Sequence, residues 1–474
     1  MHYKGLFTLL ISITGFLSAV VGFAQVTAAW KLDLKNSLNS ANKACSIVAD
    51  GSGGFYLLAS TWVADSTRDL LLVRIDTNGM ELWKRIYDRG KHLDEQPIAI
   101  SADTAGNAWI CATTKTDYGD ADILVLKYSL DGALLNEDQF GMVSGTFDAP
   151  TSIIVDKSGS AYVSGYVTSL DSGLNGLLSR YTPSGRLQWY RTYSTVEMDM
   201  ANDLVADDSC NVYSTGIVNA SPHTSDLLIC KYDSSGVLVW AREVDGIKSD
   251  NDGGSRIIAD DSSRFVVTGF MNRSGDRSDV PVILIDSSGE IIRQQLFVGG
   301  TADCSIQDVV FHKNVLNMVI RYTDYGLEKH GYYMVEYSDG LVQLFFRESA
   351  AGEDCFALLN SSDRIMSVST VVVPEEGTLR PGFFIPSEDS LPGFAWTDDS
   401  VNGLVFVRKV LITDNAVYYF GDDASEATGT LSIMRYDLAP EFHKKRAAVQ
   451  QEVARKKPVV KKKNVVRKKS VPER

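Results

Sequence analysis

The chain has 474 residues, 44% of them hydrophobic and 10% aromatic, with only 12 prolines. That composition excludes a disordered or collagen-like chain and leaves two or three ordinary domains or one large repeat domain. The net charge of −14 joins two opposed parts: residues 444–474 hold thirteen Lys/Arg against Glu452 and Glu473, a charge of +11, which leaves −25 for everything before them.

In chain order, residues 1–24 read as a signal peptide. Lys4 supplies the positive start, Leu6 to Phe23 is an uncharged apolar run, and Gly22-Phe23-Ala24 places small residues before Gln25. An uncleaved anchor is the other reading, because 18 residues is long for a signal core and near the lower limit for a span. Either way the following residues are expected outside the cytoplasm. Six cysteines follow: Cys45, Cys111, Cys210, Cys230, Cys304 and Cys355. They show no CxxC pair and no metal spacing, and most sit in apolar runs as small buried hydrophobes. Cys304 and Cys355, in neighbouring repeats, are the candidate disulfide.

From Trp30 onward a repeat dominates. A hydrophobic strand, a polar residue, two turn residues and Gly lead to an aromatic residue about four positions on. The pattern reads Ile75-Asp76-Thr77-Asn78-Gly79 to Trp83, Tyr181-Thr182-Pro183-Ser184-Gly185 to Trp189, and Tyr232-Asp233-Ser234-Ser235-Gly236 to Trp240. Weaker copies centre on Gly132, Gly289, Gly340 and Gly393, so the glycines are spaced 53, 53, 51, 53, 51 and 53. A second turn precedes each copy, beginning at Asp103, Asp156, Asp207 and Asp260. Asp at a turn start and Gly at positive φ are what tight hairpins need. Each repeat therefore holds two hairpins, and four strands per roughly 52 residues make one propeller blade.

The expected fold is all-β, a closed β-propeller of about eight four-stranded blades spanning residues 30–439. Outer strands are expected at Trp30, Trp83, Asn136, Trp189, Trp240, Arg293, Leu344 and Trp396. Leu431–Asp437 matches a third strand with no fourth after it, so the N-terminal strand at Trp30 is expected to complete the last blade and remove the open edges. Residues 363–400 carry Pro374, Pro381, Pro386 and Pro392 and fit poorly. Without them the count is seven.

The unit Asp-x-x-Gly-(Asn/Ser)-x-(Tyr/Trp)-(Val/Ile), followed by Asp-x-(Ile/Leu)-Leu-(Val/Ile)-x-Lys-Tyr-x-x-x-Gly-x-x-x-Trp, resembles the SBBP β-propeller repeat of secreted bacterial proteins. The match is clearest over residues 42–300. The resemblance implies a propeller outside the cytoplasm and no particular activity. The Gly-to-Trp segment also looks like the tryptophan-docking motif of quinoprotein and outer-membrane-assembly propellers. The adjacent Cys pair that quinoprotein dehydrogenases use is absent, which argues against quinone catalysis.

Eight residues before each first-turn position the register places Glu95, Asp148, Asp199, Asp252, Asp303 and Asp354, with Asn42 in the first repeat and Leu404 in the last. One reading is an acidic ring that binds cations or a basic segment. The other is a carboxylate that caps backbone N–H groups where the innermost strand begins. The Asp-rich turns at Asp50 and Asp207 lack the oxygen spacing of a calcium loop, and no metal site or cofactor is expected from them. HExxH, GxSxG and GxxxxGK motifs are all absent, so no catalytic residues are assigned. The loops Tyr118–Asp122 and Tyr322–Gly331 are polar enough to serve in binding.

Residues 440–474 form a basic, largely disordered tail. Arg455, Lys456 and Lys457, then Lys461, Lys462 and Lys463, then Arg467, Lys468 and Lys469 head three hexads, with Pro458 and Pro472 opposing a long helix. Such a segment binds polyanions at ~1 kcal/mol per cation near an anionic surface. After export those are anionic lipid, cell-wall polymer or an acidic protein face, and nucleic acid is not an expected partner. The leading expectation is a non-catalytic interaction platform in the cell envelope, periplasmic or outer-membrane-associated, that binds an envelope protein and is tethered by its tail. A subunit or gate of an outer-membrane secretion or assembly complex is the second. An enzyme, or a carbohydrate- or cation-binding propeller with a site on one face, is the third.

Overall fold

The computed structural model describes residues 29–437 apart from short connecting segments, of which 35–41, 386–393 and 398–404 are the longest; between 332 and 407 it is described by backbone pairing alone. The signal segment and the basic tail lie outside the described residues. Thirty-two strands form eight antiparallel four-stranded sheets. Blades 1 to 7 are each built from four consecutive strands, over residues 42–87, 95–140, 149–193, 200–244, 252–297, 303–349 and 355–397. Blade 8 pairs Val405–Ile412, Ala416–Asp423 and Thr430–Asp437 with the N-terminal strand Trp30–Leu34, which lies against Thr430–Asp437 from Trp30↔Arg435 to Leu34↔Leu431. The proline-bearing stretch that reads poorly in sequence supplies blade 7, with Pro381 opposite Thr370 inside it.

The turns behave as their residues dictate. In the second hairpin of blade 1, Asp76 Oδ1 accepts the N–H groups of Asn78 (2.9 Å) and Met80 (2.8 Å), and Gly79 takes φ +81°. The two middle strands of a blade are buried on both faces, as in Gly54–Trp62 and Arg68–Asp76 of blade 1 and Ala108–Lys115 and Ala121–Tyr128 of blade 2, because a blade is covered by a neighbour on each side. The hydrophobic core is consequently divided into slabs. One slab holds Tyr56, Leu58 and Leu72 of blade 1 with Ile110, Ala112 and Leu124 of blade 2. Another holds Phe55, Leu57 and Val73 of blade 1 with Tyr418, Phe420 and Ile433 of blade 8, so the last sheet packs on the first. The five cysteines whose side chains are described are free thiols, and Cys304 is buried, so its expected pairing with Cys355 is not formed.

The first strand of every blade touches the first strand of the next, from blade 1 to blade 8 and from blade 8 to blade 1. Each of these eight strands carries a β-bulge, a regularity that hydrophobic patterning does not reveal. The extra residue bends and twists the strand.

At the rim, blades 1, 3, 4 and 8 are each fastened to the next by an indole. Trp83 Nε1 of blade 1 donates to Leu130 O in the last turn of blade 2 at 2.8 Å, and its ring lies on Gly132. Trp189 and Trp240 repeat this on Ser234 O and Ser287 O, with their rings on Gly236 and Gly289. Two residues on, Arg85, Arg191 and Arg242 donate to the carbonyls of those same glycines at 2.7, 2.6 and 2.8 Å. In blade 2, Asn136 replaces the indole and donates to Gly185 O at 2.7 Å. Trp30, in blade 8, makes the same contact with Thr77 O and Gly79 of blade 1.

Gly132 serves twice: its φ is +80°, and a Cβ there would lie 2.9 Å from the Trp83 ring. Gly132→Ala is expected to cost roughly 2–3 kcal/mol through φ strain and lost docking. Gly90→Ala, at φ +76° with open space around it, carries only the backbone part. Urea unfolding of the two variants measures the difference; equal midpoints would remove the docking role assigned to this glycine.

Candidate functional site

Antiparallel order gives each blade two unlike ends. The two hairpin turns stand at one end, the turn face. The middle loop and the link to the next blade stand at the other, the loop face. Of the carboxylates singled out in sequence, Glu95, Asp148, Asp199, Asp252 and Asp303 lie at the loop face, where each first strand begins.

Most of them serve the backbone. Asp148 Oδ1 accepts Thr168 N–H at 2.7 Å and Oδ2 accepts Met142 N–H at 2.8 Å. Asp199 accepts Asn219 N–H at 3.1 Å, the Thr195 hydroxyl at 2.8 Å and Thr195 N–H. Asp252 accepts Asn272 N–H at 3.1 Å and Gly246 N–H, and Asp303 accepts Ser278 N–H at 2.9 Å. Asp148, Asp199 and Asp252 are fully or almost fully buried. Their oxygens point at N–H groups and not into an open funnel, as capping requires. The caps at Asp148, Asp199 and Asp252 also pin links between blades, because Met142, Thr195 and Gly246 belong to those links. Asp354 and Leu404 lie outside the described residues, as do Arg455, Lys456, Lys457, Lys461, Lys462, Lys463, Arg467, Lys468 and Lys469 of the tail.

Glu95 is the exception. It is buried, yet among the described residues its only donor is the Thr114 hydroxyl, 3.2 Å from Oε1, and Oε2 has none. The N–H equivalent to that of Thr168 belongs to Lys115, and it donates to Asp94 O at 2.9 Å instead. Burial, with Asp69 and Asp88 adding to it, pushes the Glu95 carboxyl up to about 7 against the Thr114 bond and Arg89. Burial likewise pushes Asp252 up to about 6, opposed by its two backbone donors and aided by Asp245 and Asp226.

Turn-face aspartates are occupied as turn chemistry predicts. Asp50 Oδ1 accepts Ser52 and Gly54 N–H at 2.7 and 2.8 Å, and Asp103 Oδ1 accepts Ala105 and Asn107 N–H at 3.0 and 2.9 Å. Arg74 pairs with Asp50 at 2.7 Å and Lys127 with Asp103 at 3.1 Å.

The loop face also shows two features that the sequence reading missed. The first is a set of exposed apolar side chains: Leu170 (79% exposed), Tyr325 (76%) and Phe147 (60%), with Val298, Met142 and Met198 less exposed. The second is a cleft of about 380 Å³ on blade 2, lined by Arg89, Thr116, Asp117, Asp120, Asp122 and Gln139 among others. The polar loop ending at Asp122 thus contributes to a concavity. In the other polar loop, Asp324 Oδ2 accepts the Thr301 hydroxyl at 2.6 Å and Tyr325 projects to solvent.

Nearer the axis, the residue after the bulge is Asp203, Arg256, Asp308 and Lys409 in blades 4, 5, 6 and 8. Lys409 is reached by solvent, yet burial and then Arg256 lower its pKa, with Asp308, Cys45 and Asp203 opposing. Charges from three other blades, those of Arg256, Asp308 and Asp203, act on one ammonium. Only a period-long alignment offset by the bulge would have exposed this set.

No family model matches the chain, and no curated protein matches it. Among solved structures the chain is similar to the WD40 domain of SCAP from fission yeast, at 12% identity over 86% of this chain and 98% of that one, with a TM-score of 0.48. It is similar to the β-propeller domain of the Trilobed protease from Pyrococcus furiosus, at 7% identity over 78% and 95% with a TM-score of 0.42. It is also similar to a PL25 ulvan lyase, at 10% identity over 73% and 93% with a TM-score of 0.46. The fold assignment rests on the strand pairing itself.

The elevated Glu95 pKa has a signed consequence. A carboxyl held at about 7 in the fold, against an ordinary 4.5, favours the native state while protonated, and that advantage is lost as pH rises from about 4.5 to 7. In divalent-free buffer, Glu95→Gln is expected to be more stable than the parent at pH 8 by on the order of 2–3 kcal/mol, with the gap closing near pH 4.5. Urea unfolding at the two pH values tests this. A gap that is constant with pH would sink it.

Proposed function

We propose that this chain is a non-catalytic docking platform of the cell envelope: an exported, closed eight-bladed propeller whose loop face binds a protein partner and whose basic tail tethers it. The observation that carries this reading is the set of large apolar side chains exposed on the loop face. Turn-face carboxylates are satisfied by their own backbone and by Arg74 and Lys127. The loop face instead exposes Phe147, Leu170 and Tyr325 on loops that buried carboxylates hold in place. Exposed apolar groups on a rigid frame form a protein-binding surface, with little ordering cost on association.

Phe147 and Leu170 both stand on the loop face at blade 3. The Thr168 hydroxyl donates to Phe147 O at 2.6 Å, which ties the link into blade 3 to that blade's own middle loop. The resemblance to secreted SBBP repeats and the signal-like residues 1–24 support export. The +11 charge of residues 444–474 supports attraction to anionic lipid, cell-wall polymer or an acidic protein.

The test is an affinity capture from detergent-solubilised envelope with three baits: residues 25–474, the same chain ending at Phe442, and the full mature chain carrying Phe147→Asp and Leu170→Asp. A stoichiometric protein partner is expected with the first bait. Recovery should fall at least tenfold with the loop-face variant. The truncated bait should retain the partner but lose the salt-sensitive part of the binding. Equal recovery by the loop-face variant would overturn the assigned surface.

A further inference from the structure

The exceptional surroundings of Glu95 have a chemical use. Asp69 opens the third strand of blade 1, Asp88 follows the outer strand of that blade, and Glu95 opens the first strand of blade 2. The fold brings all three to one point at the joint between the blades, where one carboxylate oxygen from each lies within 4.8 Å of the others. Asp69 and Glu95 are 1% and 0% exposed, while Asp88 stands at the surface. The cluster is therefore closed on the protein side and open to solvent on the other.

A second observation points to a ligand. Glu95 Oε2 is buried without a hydrogen-bond donor and belongs to the side chain that faces Asp69 and Asp88. At the equivalent position of blades 3 and 4, both oxygens of Asp148 and of Asp199 accept hydrogen bonds, chiefly from backbone N–H groups. Here the longer glutamate is directed at two further carboxylates, and the N–H that would cap it is engaged by Asp94 O. A buried carboxylate oxygen is costly when unsatisfied, and adjacent carboxylates add repulsion. The guanidinium of Arg89 extends toward Glu137 at 3.8 Å.

We propose that Asp69, Asp88 and Glu95 form a binding site for a divalent cation of the calcium type that clamps blade 1 to blade 2. All the donors are hard oxygens, and the open side leaves room for water to complete six to eight ligands. Calcium tolerates such irregular geometry, whereas magnesium demands a near-octahedral set and dehydrates reluctantly. Three carboxylates and no dedicated loop place the affinity with extracellular modules, a Kd on the order of 10⁻⁴–10⁻³ M.

The experiment uses the full mature chain after chelator treatment and dialysis. Calcium chloride is titrated calorimetrically, and thermal unfolding is followed with and without ~5–10 mM calcium, roughly five to ten times the weaker Kd. One site is expected, with Tm rising with calcium and much less with magnesium. Asp88→Asn keeps a side-chain oxygen for the Gly90 N–H and relieves repulsion on Glu95, so its calcium-free Tm should be no lower than the parent's while calcium binding weakens at least tenfold. Glu95→Gln should stay folded without calcium and lose the calcium-dependent rise in Tm. Asp117→Asn, in the neighbouring cleft, should bind as the parent does. Absence of a calcium response in the parent, or an undiminished response in Asp88→Asn and Glu95→Gln, would overturn the site.

Discussion

The architecture depends on one repeated contact, an indole laid on a glycine of the next blade's outer turn. Inner strands are held near the axis by mutual packing, but blades diverge toward the rim, where apolar contact alone would leave gaps. Trp83, Trp189 and Trp240 fill that space, and the arginine two residues on binds the glycine carbonyl beneath each ring. Arg85, Arg191 and Arg242 also lie 5.4–5.5 Å from the rings of Trp83, Trp189 and Trp240, within cation–π range. Trp30 applies the same clamp from the N-terminal strand to blade 1, so the beginning of the described chain joins its last sheet to its first.

The clamp explains the division of labour between the two ends of the blades. Glycines and short aspartate turns are required on the turn face because rings must approach the backbone there. Variation is left to the loop face, where links are longer and the bulged first strands begin. Asp148 and Asp199 sit at that boundary and convert the links into fixed display segments. The exposed apolar residues, the cleft on blade 2 and the Glu95 cluster all stand on this end.

Much of the fold was legible because a repeat protein writes each fixture many times. Gly79, Gly132 and Gly236 announced their turns, and Trp83, Trp189 and Trp240 announced the outer strands they dock from. The N-terminal strand was recognisable as the missing partner of Thr430–Asp437, since it matches Trp83 at an offset of 53. Blade 7 was hard to read because prolines interrupt its alternation. The pairing of Cys304 with Cys355 was suggested by their place in neighbouring repeats, and register alone does not bring two thiols together.

The sequence by itself determined the strand content, the blade period and the register of the carboxylates, because these follow from spacing along the chain. Whether a carboxylate in that register caps a backbone or faces other charges was decided only by the tertiary structure. Asp148 and Glu95 occupy the same repeat position, yet one is bound by Thr168 and Met142 N–H while the other meets Asp69 and Asp88. The difference is one methylene and the choice of acceptor made by Lys115 N–H. Similarly, the apolar groups at Phe147 and Leu170 read as ordinary loop residues until the fold left them uncovered on a common face. A one-dimensional period specifies which positions are equivalent, but the donors, charges and solvent around each one come from neighbouring blades.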